Sequence, residues 1–330
     1  MWRAALELTA DPDAIARVQS AMLAWFDAER IELPWRQRRT PYAVLVSEFM
    51  LQQTQRERVV PKYRAFMLRF PDLPALAAAS TADVIREWAG LGYNSRALRL
   101  HQLARRVVAD GGEIPAEMDC LRELPGVGDY TARAVLCFGF DQPIACVDTN
   151  IRRVLRRVLV GSPGPMGART TPAADLVLAE RALVRKRAAD WNAALMDLGA
   201  LICRARMPMC DRCPVSVWCA ARPVFTAGDD EAPRKVAEPR QPYSVGGIRA
   251  GAKAPFAASD RFLRGRIVDV LRALPDDTAL ALTELARLAT GMALPPQTER
   301  VQLLVERLER EGLVVAESAG DGETRYRLPV

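Results

Sequence analysis

Four cysteines fall close together, with the spacing Cys203-x6-Cys210-x2-Cys213-x5-Cys219. Thiolates are soft ligands, and four of them in one loop can hold zinc or a [4Fe–4S] cluster. Structural zinc usually shows two C-x2-C-like knuckles, and here Cys210 and Cys213 make the one such pair. The opening residues, MWRAALELTADPD, hold no signal-peptide apolar stretch. A disulfide framework is therefore not expected, and a metal site is the better reading. Cys120, Cys137 and Cys146 are scattered through apolar sequence and read as core thiols.

Two carboxylates stand out. Glu48 sits among Leu45, Val46, Phe49, Met50 and Leu51. An apolar setting raises a carboxyl pKa, as a general acid needs, and the alternative is a solvated glutamate on an amphipathic helix. Asp148 follows an apolar run and precedes the basic stretch NIRRV, with Asn150 two residues on. Aspartate at that place is a favoured helix N-cap. The chain has a single histidine, His101, which excludes zinc sites with two or more histidines. Triad chemistry would need His101 itself.

Residues 121–136 read LRELPGVGDYTARAVL. One helix ends at Leu124, Pro125-Gly126-Val127-Gly128 turns, and a second helix starts near Asp129. The two glycines let backbone amides approach another group, and amides at a helix N-terminus suit a phosphate. An ordinary helix–turn–helix corner is the plain alternative. The formal charge is +6, from 46 basic and 40 acidic residues, which favours an anionic partner, nucleic acid first. Of the basic residues 42 are arginine; a GC-rich genome accounts for the preference over lysine but not for the basic sum. Arg204, Arg206 and Arg212 lie within the cysteine loop, either to meet DNA phosphates or simply to be solvated.

The elements that must position these groups are mostly helices. Apolar periodicity marks 13–29, 42–54, 57–70, 81–89, 95–110, 116–123, 129–139, 149–160, 172–187 and 190–202. Pro34, Pro41, Pro61, Pro71, Pro74 and several glycines punctuate them. Strand-like alternation is missing there, so the first two-thirds reads as all-α. Residues 222–258 are rich in Pro, Gly and charge and read as a linker. Residues 259–330 regain pattern, with helices at 261–274, 281–289 and 297–312, then LVVAE and TRYRL around a Gly/Asp turn. Three helices and a hairpin make a winged-helix-like α+β domain. No apolar run of about 18 residues occurs. The 330 residues suit about two domains.

The uneven cysteine spacing resembles the iron–sulfur loop of the endonuclease III and MutY branch of DNA glycosylases. LPGVG followed by a helix is the helix-hairpin-helix signature. TPYAVLVSEFMLQQTQ, GLGYNSRALRLH, LPGVGDYTARAV, VDTNIRRV and LMDLGALIC fall in the order of the MutY-type adenine DNA glycosylases, across about residues 30–220. The resemblance implies a helix-hairpin-helix glycosylase core over 1–221. In that core a six-helix barrel spans about 40–146, and the N-terminal helices with 147–221 form the cluster subdomain. Cys203, Cys210, Cys213 and Cys219 would ligate a [4Fe–4S] cluster. Glu48 would protonate the adenine ring and Asp148 would stabilise the oxocarbenium sugar, with Tyr130 and Asn150 as their partners. Arg36 falls in the PWR motif near the base pocket. Gln52, Gln53 and Tyr93 match positions that probe the base stack beside a flipped nucleotide, and Pro125, Gly126, Val127 and Gly128 form the DNA-binding hairpin.

One protonated and one ionised carboxyl group suffice to break a glycosidic bond, as in sugar hydrolases. Lyase relatives carry a Schiff-base lysine at the hairpin position held here by Tyr130, so base removal without strand cleavage is expected. The sequence departs from the resemblance in three places. Residues 259–330 do not look like the Nudix-like domain common in these proteins, Asn94 replaces a second aromatic, and Thr149 stands where glycine is frequent. The expected function is a monofunctional glycosylase removing adenine mispaired with 8-oxoguanine or guanine. A thymine/uracil mismatch glycosylase is the same-class alternative, and a non-catalytic iron–sulfur DNA-binding regulator the other. The expected partner is double-stranded DNA with a mispaired or damaged base, bound by a monomer with no membrane association. The expected location is the cytoplasm of a bacterial-type cell, at the nucleoid.

Overall fold

The computed structural model describes residues 12–162, 171–226, 259–291, 295–318 and 322–330. The chain is mainly helical, with one small sheet near its C-terminal end. It divides into two compact units, one made of residues up to 44, 116–122 and the segment from 127, the other of 45–115, 123–126 and the C-terminal domain.

In the first unit, helices Pro12–Glu29, Thr149–Leu155, Pro172–Arg181 and Ala188–Leu201 surround one core. Met22, Phe26, Ile151, Val154, Trp191, Ala194 and Leu198 are buried in it. Two expected long helices end in π-turns, Val135–Gly139 and Arg156–Val160. The helix expected over 172–187 stops at Arg181 and resumes as a 3-10 turn, Arg185–Arg187. Cys137 and Cys146 are buried as expected, but Cys120 is exposed on the short Met118–Arg122 helix and is not a core thiol. Five residues of the expected linker form a helix, Arg222–Thr226; its residues 227–258 lie outside the described ones.

The second unit contains helices Arg56–Arg69, Leu73–Ala78, Thr81–Glu87 and Ser95–Ala109. Prolines did not end every element. Pro61 lies inside the Arg56–Arg69 helix, and Pro74 lies in the first turn of Leu73–Ala78, where its missing N–H leaves no bond unmade. Asp72 caps that helix, accepting from Ala75 N at 2.8 Å. His101 is buried, with Nδ1 3.4 Å from Thr81 Oγ1. Burial and then Arg105 push its pKa down to about 4, so it is a neutral packing residue at neutral pH.

The C-terminal domain is a winged helix. Helices Asp260–Arg272, Leu282–Thr290 and Pro295–Arg310 precede the hairpin of β2 (Val315–Ser318) and β3 (Thr324–Arg327). A short β1 (Leu280–Ala281) pairs antiparallel with β3, Leu280 facing Tyr326, and gives the order β1-β3-β2. Two residues are too few for a period, so β1 left no sequence signal. This domain shares a core with Ala82 and Ile85 of the same unit, against Leu263, Ile267 and Leu271.

The hairpin residue Gly126 has φ +81, and a Cβ there would lie 2.8 Å from Phe49 Cε1 and 3.2 Å from Arg99 Cβ. Gly126→Ala therefore combines left-handed strain with a clash against an aromatic ring. It is expected to lower stability by about 1–3 kcal/mol, read as a lower urea midpoint with unchanged m-value.

Candidate active site

Asp148 sits at the N-cap of the Thr149–Leu155 helix. Its Oδ1 accepts from Ile151 N at 2.6 Å and its Oδ2 from Asn150 Nδ2 at 3.1 Å. Burial raises its pKa above the ordinary value of 3.8, while these bonds and the nearby Arg153 guanidinium oppose the rise. The carboxylate is thus half-buried and held in one orientation.

Asn150 is itself held. Arg153 Nη2 donates to Asn150 Oδ1 at 2.8 Å and to Gly199 O at 2.7 Å, and Arg153 Nε donates to Cys203 O at 2.8 Å. The Ala188–Leu201 helix passes so close that a Cβ on Gly199 would fall 2.7 Å from Asn150 Cβ. A continuous hydrogen-bonded path therefore runs from Asp148 through Asn150 and Arg153 to the first cysteine of the loop. Tyr130, the second residue of the Asp129–Ala134 helix, is half-buried and packs against the core that holds Ile151. Val127 is buried, and Gly128 is the extended N-cap of that helix.

Cys203, Cys210, Cys213 and Cys219 line one small pocket together with Leu198, Ile202 and Arg157. Arg157 is buried and donates to Arg204 O and Ala205 O, each at 2.7 Å. Burial raises the Cys213 thiol to about 12, and Cys210 and Cys219 are raised for the same first reason, with neighbouring cysteines adding to each. Cys210, Cys213 and Cys219, gathered with Cys203 in one pocket, resist ionisation unless a cationic group offsets them, which fits a metal-holding donor set. Among the described residues no three such ligands converge on a single-ion position. Arg204, Arg206 and Arg212 are exposed on the loop.

In the second unit, Glu48 is half-buried on the Pro41–Leu51 helix, flanked in sequence by buried Ser47 and Phe49. Just beyond the helix, Gln53 has φ 55 and Tyr93 has φ 48, both left-handed and unusual for side chains of their size. One buried guanidinium ties these two turns together. Arg96 Nη1 donates to the carbonyls of Phe49 (2.8 Å), Met50 (2.9 Å) and Gln52 (2.5 Å). Arg96 Nη2 donates to Thr54 Oγ1 at 3.0 Å and to Gly92 O at 3.1 Å. The strain that such turns store is of order 1–3 kcal/mol each and needs support of this kind. Tyr93 remains partly exposed, at 39%. Arg36, in the first unit, makes a two-pronged ion pair with buried Asp197, at 2.7 and 2.9 Å, so its guanidinium fixes the PWR segment to the Ala188–Leu201 helix.

The family described as HhH-GPD superfamily base excision DNA repair protein matches residues 46–171. The adenine DNA glycosylase of Mycobacterium tuberculosis is 41% identical over 254 residues, which are 76% of this chain and 77% of that relative. The chain belongs to the adenine DNA glycosylase family. The adenine DNA glycosylase of Mycolicibacterium smegmatis is 38% identical over 315 residues, 92% of this chain and 96% of that one. A solved thermostable thymine-DNA glycosylase is similar at 31% identity and a TM-score of 0.60, covering 64% of this chain and 98% of its own.

Three arginines of this adenine DNA glycosylase family member escaped the motif reading: Arg96, Arg153 and Arg157. Their side chains serve carbonyls 44 to 48 positions away or more, so no local spacing marks them. The one available hint is that Arg96 ends GLGYNSR and Arg153 and Arg157 recur at helical spacing after Asp148.

Removing a bond that favours the ionised form raises the Asp148 pKa further. Asn150→Leu deletes such a bond, while Arg153 keeps its bonds to Gly199 O and Cys203 O. The acid limb of the single-turnover base-release profile is therefore expected to move to higher pH than in the wild type. The sign for stability is also set. The folded chain binds this proton more tightly than the unfolded chain, so the contribution is present below 3.8 and is lost as pH rises through the raised value.

Proposed function

We propose that the protein is a monofunctional DNA glycosylase that hydrolyses the N-glycosidic bond of adenine mispaired with 8-oxoguanine or guanine in duplex DNA. The observation that carries this reading is Asp148, a half-buried N-cap carboxylate fixed by Ile151 and Asn150. It lies within a chain whose family members are named adenine DNA glycosylases. In the proposed mechanism the Pro125-Gly126-Val127-Gly128 amides and exposed arginines bind phosphates, while Gln52, Gln53 and Tyr93 enter the stack beside the extruded base. Glu48 donates its proton to the adenine ring, making the base a better leaving group. The bond electrons leave with the base, and the ionised Asp148 stabilises the cation that remains on the sugar. Water adds to that carbon and yields an abasic site. Tyr130 stands at the hairpin position where lyase relatives carry lysine and has no amine, so no Schiff base forms and the strand is not cut.

Glu48→Gln removes the proton donor and Asp148→Asn the negative charge. Each is expected to lower base release by at least about a hundredfold, the usual worth of one acid–base group, with duplex binding kept. A panel of duplexes carrying A, T, U or hypoxanthine opposite each base and 8-oxoguanine reads out the specificity. Release of thymine but not adenine would instead establish the mismatch reading, to which the 31% identity to a thymine-DNA glycosylase belongs. Full activity in both variants would sink the catalytic assignment.

The cysteine cavity supports a [4Fe–4S] cluster held by Cys203, Cys210, Cys213 and Cys219. What supports this reading is that all four cysteines line one pocket and carry the uneven spacing of the iron–sulfur loop. The group would supply a rigid staple for the loop, and no bond of the reaction passes through it. The expected material is brown, holds about four irons per chain, and loses colour in Cys210→Ala. Stoichiometric zinc in a colourless, active protein would overturn the cluster reading.

A further inference from the structure

The C-terminal winged helix has ten arginines against twelve carboxylates over 259–330, which makes it a poor neutraliser of phosphates. Its first helix reaches instead for the turn that carries Tyr93. The Arg261 guanidinium lies 4.3 Å from the centroid of the Tyr93 ring, which Arg96 also overlies at 5.4 Å. Three helical turns later, on the same face of the Asp260–Arg272 helix, Arg272 Nη2 donates to Asn94 Oδ1 at 3.1 Å. Arg272 Nε donates to Ile85 O at 3.0 Å. The contact is reciprocal, because Arg86 donates to Leu274 O at 3.0 Å and pairs with Asp276 at 2.7 Å. A shared apolar core seals the junction. This also accounts for Asn94, where related sequences have a second aromatic: an aromatic ring would offer Arg272 no carbonyl to bind.

We propose that the C-terminal domain is a brace for the Tyr93–Asn94 turn, with Arg261 and Arg272 as positioning residues that hold Tyr93 in its left-handed presentation toward duplex DNA. This rests on the reading above that Tyr93 meets the DNA. Cation–ring stacking restricts the tyrosine, and the Asn94 bond fixes the backbone next to it.

The test uses the full-length protein with its metal site intact and a duplex holding adenine opposite 8-oxoguanine. Single-turnover base release, titrated with enzyme, gives the half-saturating concentration and the rate at saturation. Arg261→Gln is expected to raise the half-saturating concentration about fivefold and change the saturated rate less than about twofold, and Arg261→Lys to recover most of the loss. Asn94→Leu, which removes the Arg272 acceptor, gives a loss of the same kind. Tyr93→Leu alone weakens binding, and Tyr93→Leu combined with Arg261→Gln is no worse than Tyr93→Leu. Losses that multiply in the double variant mean that Arg261 acts on DNA directly and overturn the brace. So does a salt dependence of binding whose slope falls by about one in Arg261→Gln, the mark of a lost phosphate contact. If Tyr93→Leu binds as wild type, the DNA role of Tyr93 fails first and the brace with it. Thermal unfolding of each variant separates these outcomes from loss of fold.

Discussion

The bond from Ile151 N–H to Asp148 joins two requirements that oppose each other. In the proposed reaction Asp148 must be ionised to stabilise a sugar cation, and it would act best where water and its screening are reduced. Burial raises the Asp148 pKa, and the helix N-terminus, Asn150 and Arg153 push it back. Much of the first unit follows from keeping that balance. Gly199 has no side chain because Asn150 occupies the space, and Arg153 spans from Asn150 to the Cys203 carbonyl. A disturbance of the cysteine loop therefore reaches the carboxylate through two side chains, Arg153 and Asn150. The coupling needs no long-range motion, only loss of the carbonyl that anchors Arg153.

Arginine is the residue that solves such problems here. Arg96 serves the carbonyls at the end of the Glu48 helix and those of the Gly92 turn with one guanidinium. Arg157 does the same for the cysteine loop. A lysine ammonium is a point donor and cannot span two segments in a fixed plane. Genome composition thus explains only part of the excess of 42 arginines over four lysines. Burial lowers the pKa of Arg96 to about 10, which still leaves it charged at neutral pH, so the clamp does not loosen over the range in which the protein folds.

The parts of the site readable from sequence were those written locally. A capping aspartate before a basic helix, two glycines in a hairpin and four cysteines in one loop each declare themselves within a few residues. The long-range clamps do not, because a carbonyl acceptor exists at every residue and carries no sequence signature. Helix ends were misjudged for related reasons. Residues 135–139 and 156–160 turn as π-helix, a choice made by packing rather than by periodicity. The winged helix was legible in its helices and hairpin. Its use was not, because Arg261 and Arg272 look like any solvated arginines until Tyr93 and Asn94 are placed beneath them.

The distribution of charge separates two tasks that composition alone merges. Residues 1–221 hold 30 basic and 24 acidic side chains, so the entire net charge of +6 is matched by this part, while the C-terminal domain is slightly acidic. Attraction to a polyanion therefore belongs to the core, where exposed arginines and hairpin amides lie. Extruding a nucleotide costs a few kcal/mol of unstacking, and a side chain that fills the gap helps only if it is already ordered. An exposed tyrosine with left-handed backbone would by itself sample many conformations. An acidic domain docked behind it can restrict those conformations without adding indiscriminate affinity for undamaged DNA. If Tyr93 enters the stack as proposed, specific recognition gains from that arrangement, since rigidity strengthens contacts made only when the nucleotide leaves the stack, whereas added positive charge would strengthen contacts with every duplex alike.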